Sequence, residues 1–232
     1  MNPNIFLSGF VIMSVASLAL YAQGSKAPEI RHHTYFHATV PFIAATAYLA
    51  MYFGIGTVEP GNGVLTPIAR YADWSVTTPI LLAGLVMLAL HEHGRASAFM
   101  VAVLTLDALM IVTGLISSLA SNPSARFAFY LWSCAAFAGV LYILWVPLRA
   151  ISNGQGGPFS RAYVKNLPFL TAVWFAYPVV FAIGPEGSRT LTLDGGAWAI
   201  LVLDVLAKVV YAFFAASNVE KAHVEHQSGP RR

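Results

Sequence analysis

Hydrophobic residues along this chain fall into seven long runs, each broken by a short polar or Gly/Pro-containing stretch. A helix needs about 20 mainly apolar residues to cross a bilayer. The pattern predicts spanning helices at roughly 4–22, 34–55, 67–90, 97–119, 126–147, 166–184 and 192–216. The breaks are Gln23-Gly24-Ser25 with Pro28, Pro60-Gly61-Asn62-Gly63, His91 to Arg95, Ser121-Asn122-Pro123, Asn153 to Pro158, and Gly184 to Gly187. Glycine and proline at these points punctuate helices. No internal repeat or separate soluble segment interrupts the series, so residues 1–232 read as one all-α, seven-helix membrane domain. The first run lacks the basic n-region of a signal peptide and is long enough to span, so it reads as a retained helix.

Composition agrees. The 232 residues are 57% hydrophobic and only 10% charged, against about 25% charged in an ordinary soluble domain. The net charge of +3 gives no reason to expect a nucleic-acid partner. One cysteine, Cys134, excludes an intrachain disulfide and a cysteine-based zinc cluster, and no metal site is expected. With the N-terminus outside, the inner loops and tail hold Lys26, Arg31, Arg95, Arg149, Arg161, Lys165, Lys221, Arg231 and Arg232. The outer loops then hold Arg126 and Arg189. Basic residues favour the cytoplasmic side, so the expected orientation is N-out, C-in.

The chemistry lies in the charges left inside the spans. In LDVLAKVVYAFF, Asp204 and Lys208 stand i and i+4 on one helical face in an otherwise apolar segment. A charge at bilayer depth costs roughly 2.5–3.5 kcal/mol on insertion scales and marks a functional site by default. A lysine amine in a dry pocket suits a Schiff base with a carbonyl compound; the alternative is a structural ion pair between helices. In ARYADWSVTTPILL, Arg70, Asp73 and Thr77 share one face, with Pro79 following Thr78 mid-span. Asp73 and Asp204 with Arg70 beside Lys208 make a cluster able to move protons when one charge disappears. In AVWFAYPVVF, Trp174, Tyr177 and Phe181 form a stripe with Pro178 in it, either plain core or a ligand box. Trp74 and Tyr130 admit the same two readings. No nucleophile and base fall together in a hydrolytic motif, so a conventional enzyme is not indicated.

These stretches carry a resemblance. RYADWSVTTPILL, WFAYPVVFAIGPEG and LDVLAKV resemble the third, sixth and seventh helices of microbial rhodopsins, above all the outward proton pumps. The likeness runs over nearly the whole chain in order. It implies covalent all-trans retinal, held by Lys208 as a protonated Schiff base. Asp73 resembles the primary counterion and proton acceptor, with Thr77 hydrogen-bonding it, Asp204 the second counterion, and Arg70 the arginine that swings with counterion charge. Trp74, Trp174, Tyr177 and Tyr130 would sandwich the retinal. Thr78, Leu81, Met110, Gly114, Ser133, Phe137, Pro178 and Phe181 would complete the box, and Tyr48 would hydrogen-bond the counterion region. Asp107 is expected as a neutral carboxylic acid bonded to Thr78; a proton relay is the alternative. Leu81 and an ionised Asp73 suggest green absorption.

The resemblance also implies a multi-pass protein of a bacterial cytoplasmic membrane, a homo-oligomer (trimer or pentamer), with lipid as its surroundings. The motif positions Asp73, Thr77 and Gly84 match the bacterial Asp-Thr-Gly subgroup, regarded as pumping without the usual carboxylic donor. Eleven residues is close to three turns, about 16 Å, so Gly84 shares the face of Asp73. His37 and Tyr48 are likewise eleven apart. Gly84 is expected to leave room for water, with His37 supporting or supplying the returning proton. Histidine's ordinary pKa, about 6.5, is the side-chain value nearest neutrality. The other reading makes His37 an interfacial histidine beside His32 and His33. Glu186 matches one member of the family's release pair; the other position falls at Gly196, with Asp194 nearby, so release is expected after uptake. A chloride pump is disfavoured because Asp73 is a fixed anion where a halide would sit. The competing function is a sensory photoreceptor signalling through a separate partner protein.

Overall fold

The computed structural model describes residues 1–26, 31–61, 63–91 and 96–228. Pro28, Asn62, the stretch from Glu92 to Arg95, and Arg231 and Arg232 lie outside them, as do the side chains of Lys26, Arg31, His32 and His33. Seven rods build the fold: α1 (Pro3–Lys26), α2 (Arg31–Tyr52), α3 (Ile68–Ala89), α4 (Ala96–Leu119), α5 (Pro123–Gln155), α6 (Gly157–Ile183) and α7 (Leu193–Ser228). Each packs on its neighbour in sequence, and α1 closes the ring against α7. Six of the seven are long and apolar enough to cross a membrane. The exception, α2, begins RHHTYFH, which lowers its apolar content although the rest of it packs within the bundle.

Helix ends differ from the hydrophobic runs. At 1.5 Å per residue the 36 residues of α7 extend about 54 Å, well past a hydrocarbon core of about 30 Å. Its last turns are polar, and an apolar run cannot announce them. The broad break expected at Asn153 to Pro158 narrows to Gly156, whose φ of 65° is a backbone conformation that glycine adopts without strain. Asn122 caps α5 by accepting from Ser124 N at 2.9 Å, with Pro123 behind it, and Thr192 caps α7 by accepting from Gly195 N at 3.0 Å. The loop between α2 and α3 holds a small antiparallel pair, β1 (Thr57–Val58) and β2 (Thr66–Pro67), too short to register in a hydropathy pattern.

Two helices contain a π turn. In α5 it spans Leu144–Leu148 around Pro147. Proline has no N–H to give and disturbs the ladder; the hydroxyl of Tyr163 on α6 donates to the Leu144 carbonyl at 2.5 Å, satisfying an acceptor at the bulge. In α7 the π turn spans Val205–Val210 and contains Lys208, closing with Tyr211 N–H donating to the Leu206 carbonyl. Single π turns inside α-helices are common at functional sites.

Large apolar side chains such as Phe42, Phe127, Trp132 and Phe175 point outward, while Arg70, Asp73, Asp107, Asp204 and Lys208 are all buried. That inversion of a soluble protein's surface is what lipid surroundings require.

Candidate functional site

The site forms where α3 and α7 face each other across the bundle. Lys208 is 1% exposed, Asp73 3% and Asp204 1%. The Lys208 ammonium Nζ hydrogen-bonds Asp73 Oδ2 and lies 3.1 Å from Asp204 Oδ1. A buried cation held between two carboxylates from different helices is compensated in a way a lone buried charge is not.

The two carboxylates are not equivalent. Asp204 is fully engaged: Tyr48 on α2 donates to Oδ2 at 2.8 Å, Tyr177 on α6 to Oδ1 at 2.7 Å, and Trp74 Nε1 on α3 to Oδ1 at 3.3 Å. Asp73 Oδ1, by contrast, is buried without a donor among the described residues. The Thr77 hydroxyl, one turn from Asp73, donates to its main-chain carbonyl at 2.9 Å, the i−4 bond open to a mid-helix threonine, and also stands beside the Asp73 carboxyl.

From Lys208 an elongated cavity runs between α3, α4, α5 and α6. Trp74, Thr78, Leu81, Met110, Gly114, Tyr130, Ser133, Phe137, Trp174, Tyr177, Pro178 and Phe181 line it, every one of them a residue expected there from sequence. Trp74 meets Tyr177 edge-on at 5.3 Å, and Tyr130 stacks on Phe181 at 5.4 Å while donating to the Pro178 carbonyl at 3.1 Å. Ser133 donates to the Met110 carbonyl at 2.8 Å. Thr78 reaches Asp107 Oδ2 at 2.8 Å, the partnership expected from sequence. Tyr71 and Cys134 also line the cavity and were not anticipated. The spacing of Tyr71, Trp74 and Thr78 at i, i+3 and i+7 is the signal that would have found the tyrosine.

Arg70, 8% exposed, and Glu186 also line the cavity. Among the described residues Arg70 makes no ion pair with either carboxylate, so the cluster is a lysine between two aspartates with the arginine set apart. Gly196 abuts Pro185, whose Cδ would lie 3.0 Å from a Cβ placed there. Asp194 accepts from Asn2 N at 2.8 Å, which directs it to the N-terminal segment.

Further along α3, a Cβ on Gly84 would lie 3.1 Å from Phe36 Cε1 and 3.9 Å from His37 Cε1. His37 is 6% exposed and so buried, with its ring near Gly84, and the edge of the Phe36 ring lies closer still to that glycine. Phenylalanine at this place gave no sequence signal, since its contact crosses from α2 to α3.

An apolar, aromatic-walled slot ending at a buried amine flanked by two carboxylates fits a polyene aldehyde joined to that amine. The comparisons agree. Residues 2–222 match the bacteriorhodopsin-like protein family. Archaerhodopsin-2 of Halobacterium sp. (strain aus-2) is 37% identical over 211 residues, 88% of this chain and 80% of that one. The crystal structure of thermophilic rhodopsin from Rubrobacter xylanophilus is 33% identical with a TM-score of 0.92, covering 99% of this chain and 100% of the other. The light-driven proton pump rhodopsin of Coccomyxa subellipsoidea is 30% identical with a TM-score of 0.83, covering 93% and 95%. The chain belongs to the bacteriorhodopsin-like family of multi-pass membrane proteins, which carry retinal bound covalently to a lysine.

Proposed function

We propose that this protein is a light-driven proton pump that moves protons outward, with its N-terminus outside and its C-terminus in the cytoplasm. The observation that carries the reading is the unequal pair of carboxylates around Lys208 Nζ. Retinal bound there supplies light absorption and a change of shape that disturbs this arrangement. The chain's own residues then decide where the proton goes. Asp204 is held in place by Tyr48, Tyr177 and Trp74, which all donate to it and occupy both of its oxygens. Asp73 has a free oxygen and already faces the nitrogen, so the proton on Lys208 Nζ passes to Asp73 Oδ2. Thr77 hydrogen-bonds the acceptor Asp73, and Arg70 responds to the altered charge from the outer end of the cavity.

The returning proton comes from the inner side. No carboxyl stands at Gly84, and His37 beside it supports or supplies that proton, which accords with the Asp-Thr-Gly subgroup of bacterial pumps. The same reading takes the membrane to be a bacterial cytoplasmic one and the assembly to be a homo-oligomer, trimer or pentamer. It makes the protein a transporter and not an enzyme. Green absorption follows from Leu81 in the cavity wall and an ionised Asp73.

Gly84 also suits a sensory photoreceptor working through a separate partner, and one experiment separates the two. Cells expressing the chain with all-trans retinal acidify their medium on illumination, and a protonophore abolishes the signal. A coloured protein with no acidification and a very slow photocycle would support the sensor.

A further inference from the structure

The first helix brings no polar group to the site, yet one of its residues governs how a carboxylate there is held. Gly9, buried in α1, lies flat against the ring of Tyr48. A Cβ on residue 9 would stand 2.3 Å from Tyr48 Cδ1 and 2.5 Å from Cε1, where ordinary van der Waals contact begins at 3.4 Å. The ring has little freedom to yield. Tyr48 is 2% exposed and is packed with Ile5, Phe6, Met13, Ala45 and Met51. Its hydroxyl is the α2 donor to Asp204, at 2.8 Å from Oδ2. Retreat of the ring by about 1 Å would carry that hydroxyl beyond the range of an O–H···O hydrogen bond.

We propose that Gly9 is a positioning residue for the photochemical site: by lacking a side chain it lets Tyr48 reach Asp204. It acts through Tyr48 alone and touches neither carboxylate. The inference rests on the reading of Lys208 and Asp204 as the retinal site.

The test is a set of visible spectra of the full chain reconstituted with all-trans retinal, for wild type, Gly9→Ala, Tyr48→Phe and the double variant. Gly9→Ala is expected to shift the band in the same direction as Tyr48→Phe, by at least half as much. In the Tyr48→Phe background, adding Gly9→Ala is expected to change nothing further, since the hydroxyl is already gone. Should Gly9→Ala yield no pigment, Tyr48→Leu in the same chain is expected to restore it, with the spectrum of Tyr48→Leu alone. Three results would overturn the proposal: an unshifted Gly9→Ala band beside a shifted Tyr48→Phe band, an unshifted Tyr48→Phe band, or a colourless Gly9→Ala that Tyr48→Leu does not rescue. A colourless wild type overturns the retinal reading instead, and this inference with it.

Discussion

Thr78 on α3 and Asp107 on α4 meet hydroxyl to carboxyl at 2.8 Å, and the same hydroxyl oxygen lies 2.8 Å from the Trp74 carbonyl. One hydroxyl hydrogen cannot serve two acceptors fully. A proton on Asp107 resolves the conflict, with the carboxyl donating to Thr78 and Thr78 donating to Trp74. Asp107 is therefore expected to carry a proton in the dark, visible as a protonated-carboxyl C=O band in the infrared that Asp107→Asn removes. Asp107→Asn keeps a donor for Thr78 and is expected to fold and pump. Asp107→Leu strips the link and is expected to lower stability by about 1–3 kcal/mol, read as earlier thermal bleaching, with light-driven acidification retained per folded molecule. Loss of pumping in Asp107→Asn at normal pigment yield would mean that Asp107 is a proton relay.

The nitrogen of Lys208 and the acceptor Asp73 give the sharpest pair of variants. Lys208→Ala is expected to leave the chain colourless with retinal, because among the described residues no other lysine lines the cavity. Asp73→Asn is expected to bind retinal, shift its band to longer wavelength through loss of a negative charge beside Lys208, and lose light-driven acidification at least tenfold. Asp204→Asn should differ from it. It leaves Tyr48, Tyr177 and Trp74 without their shared anion and is expected to reduce pigment yield as well as activity. Normal acidification by Asp73→Asn would remove it as the acceptor.

Much of this was legible in the sequence because a bilayer makes charges conspicuous. Asp204 and Lys208 at i and i+4, and Asp73 on a polar stripe, stand out against apolar neighbours, and the cost of burying them leaves few explanations. The aromatic stripe Trp174, Tyr177 and Phe181 was visible as a pattern, but only the family resemblance made it a box rather than core. Other features depend on contacts between helices, which periodicity does not encode. Nothing at Gly84 in the sequence signals that the Phe36 ring of another helix lies against it. The π turn at Lys208 has no proline to betray it.

Phe36 changes what can be asked of the inner half. Restoring a carboxylic donor with Gly84→Asp adds a Cβ 3.1 Å from the Phe36 ring edge, so the new side chain must displace that ring. Gly84→Asp alone is expected to gain little, whereas Phe36→Ala with Gly84→Asp is expected to speed decay of the deprotonated photointermediate several-fold. His37→Ala is expected to slow that decay and alter its dependence on pH from about 5 to 9, which brackets the titration range of histidine. Flash spectroscopy reads both. An unchanged decay in His37→Ala over that whole range removes His37 from the pathway.

At the outer end, the order of release and uptake depends on which carboxylates can share a proton. Two such groups must approach closely to titrate together. Glu186 lies at the cavity mouth, but its sequence counterpart is Gly196, and Pro185 crowds the position a side chain there would take. Asp194 is turned toward Asn2 and is half exposed, at 52%, so its charge is already solvated. Arg126 donates to the Glu186 carbonyl at 3.4 Å, a bond to the backbone that leaves the carboxyl itself unengaged by Arg126. Release to the outside should therefore lag uptake from the inside, and a pH-sensitive dye in unbuffered suspension at neutral pH is expected to report alkalinisation first. Glu186→Gln is expected to leave that order intact, because among the described residues lining the cavity no second carboxyl accompanies Glu186. Early acidification in wild type that Glu186→Gln abolishes would restore Glu186 as a working release group and require a partner from elsewhere in the outer half.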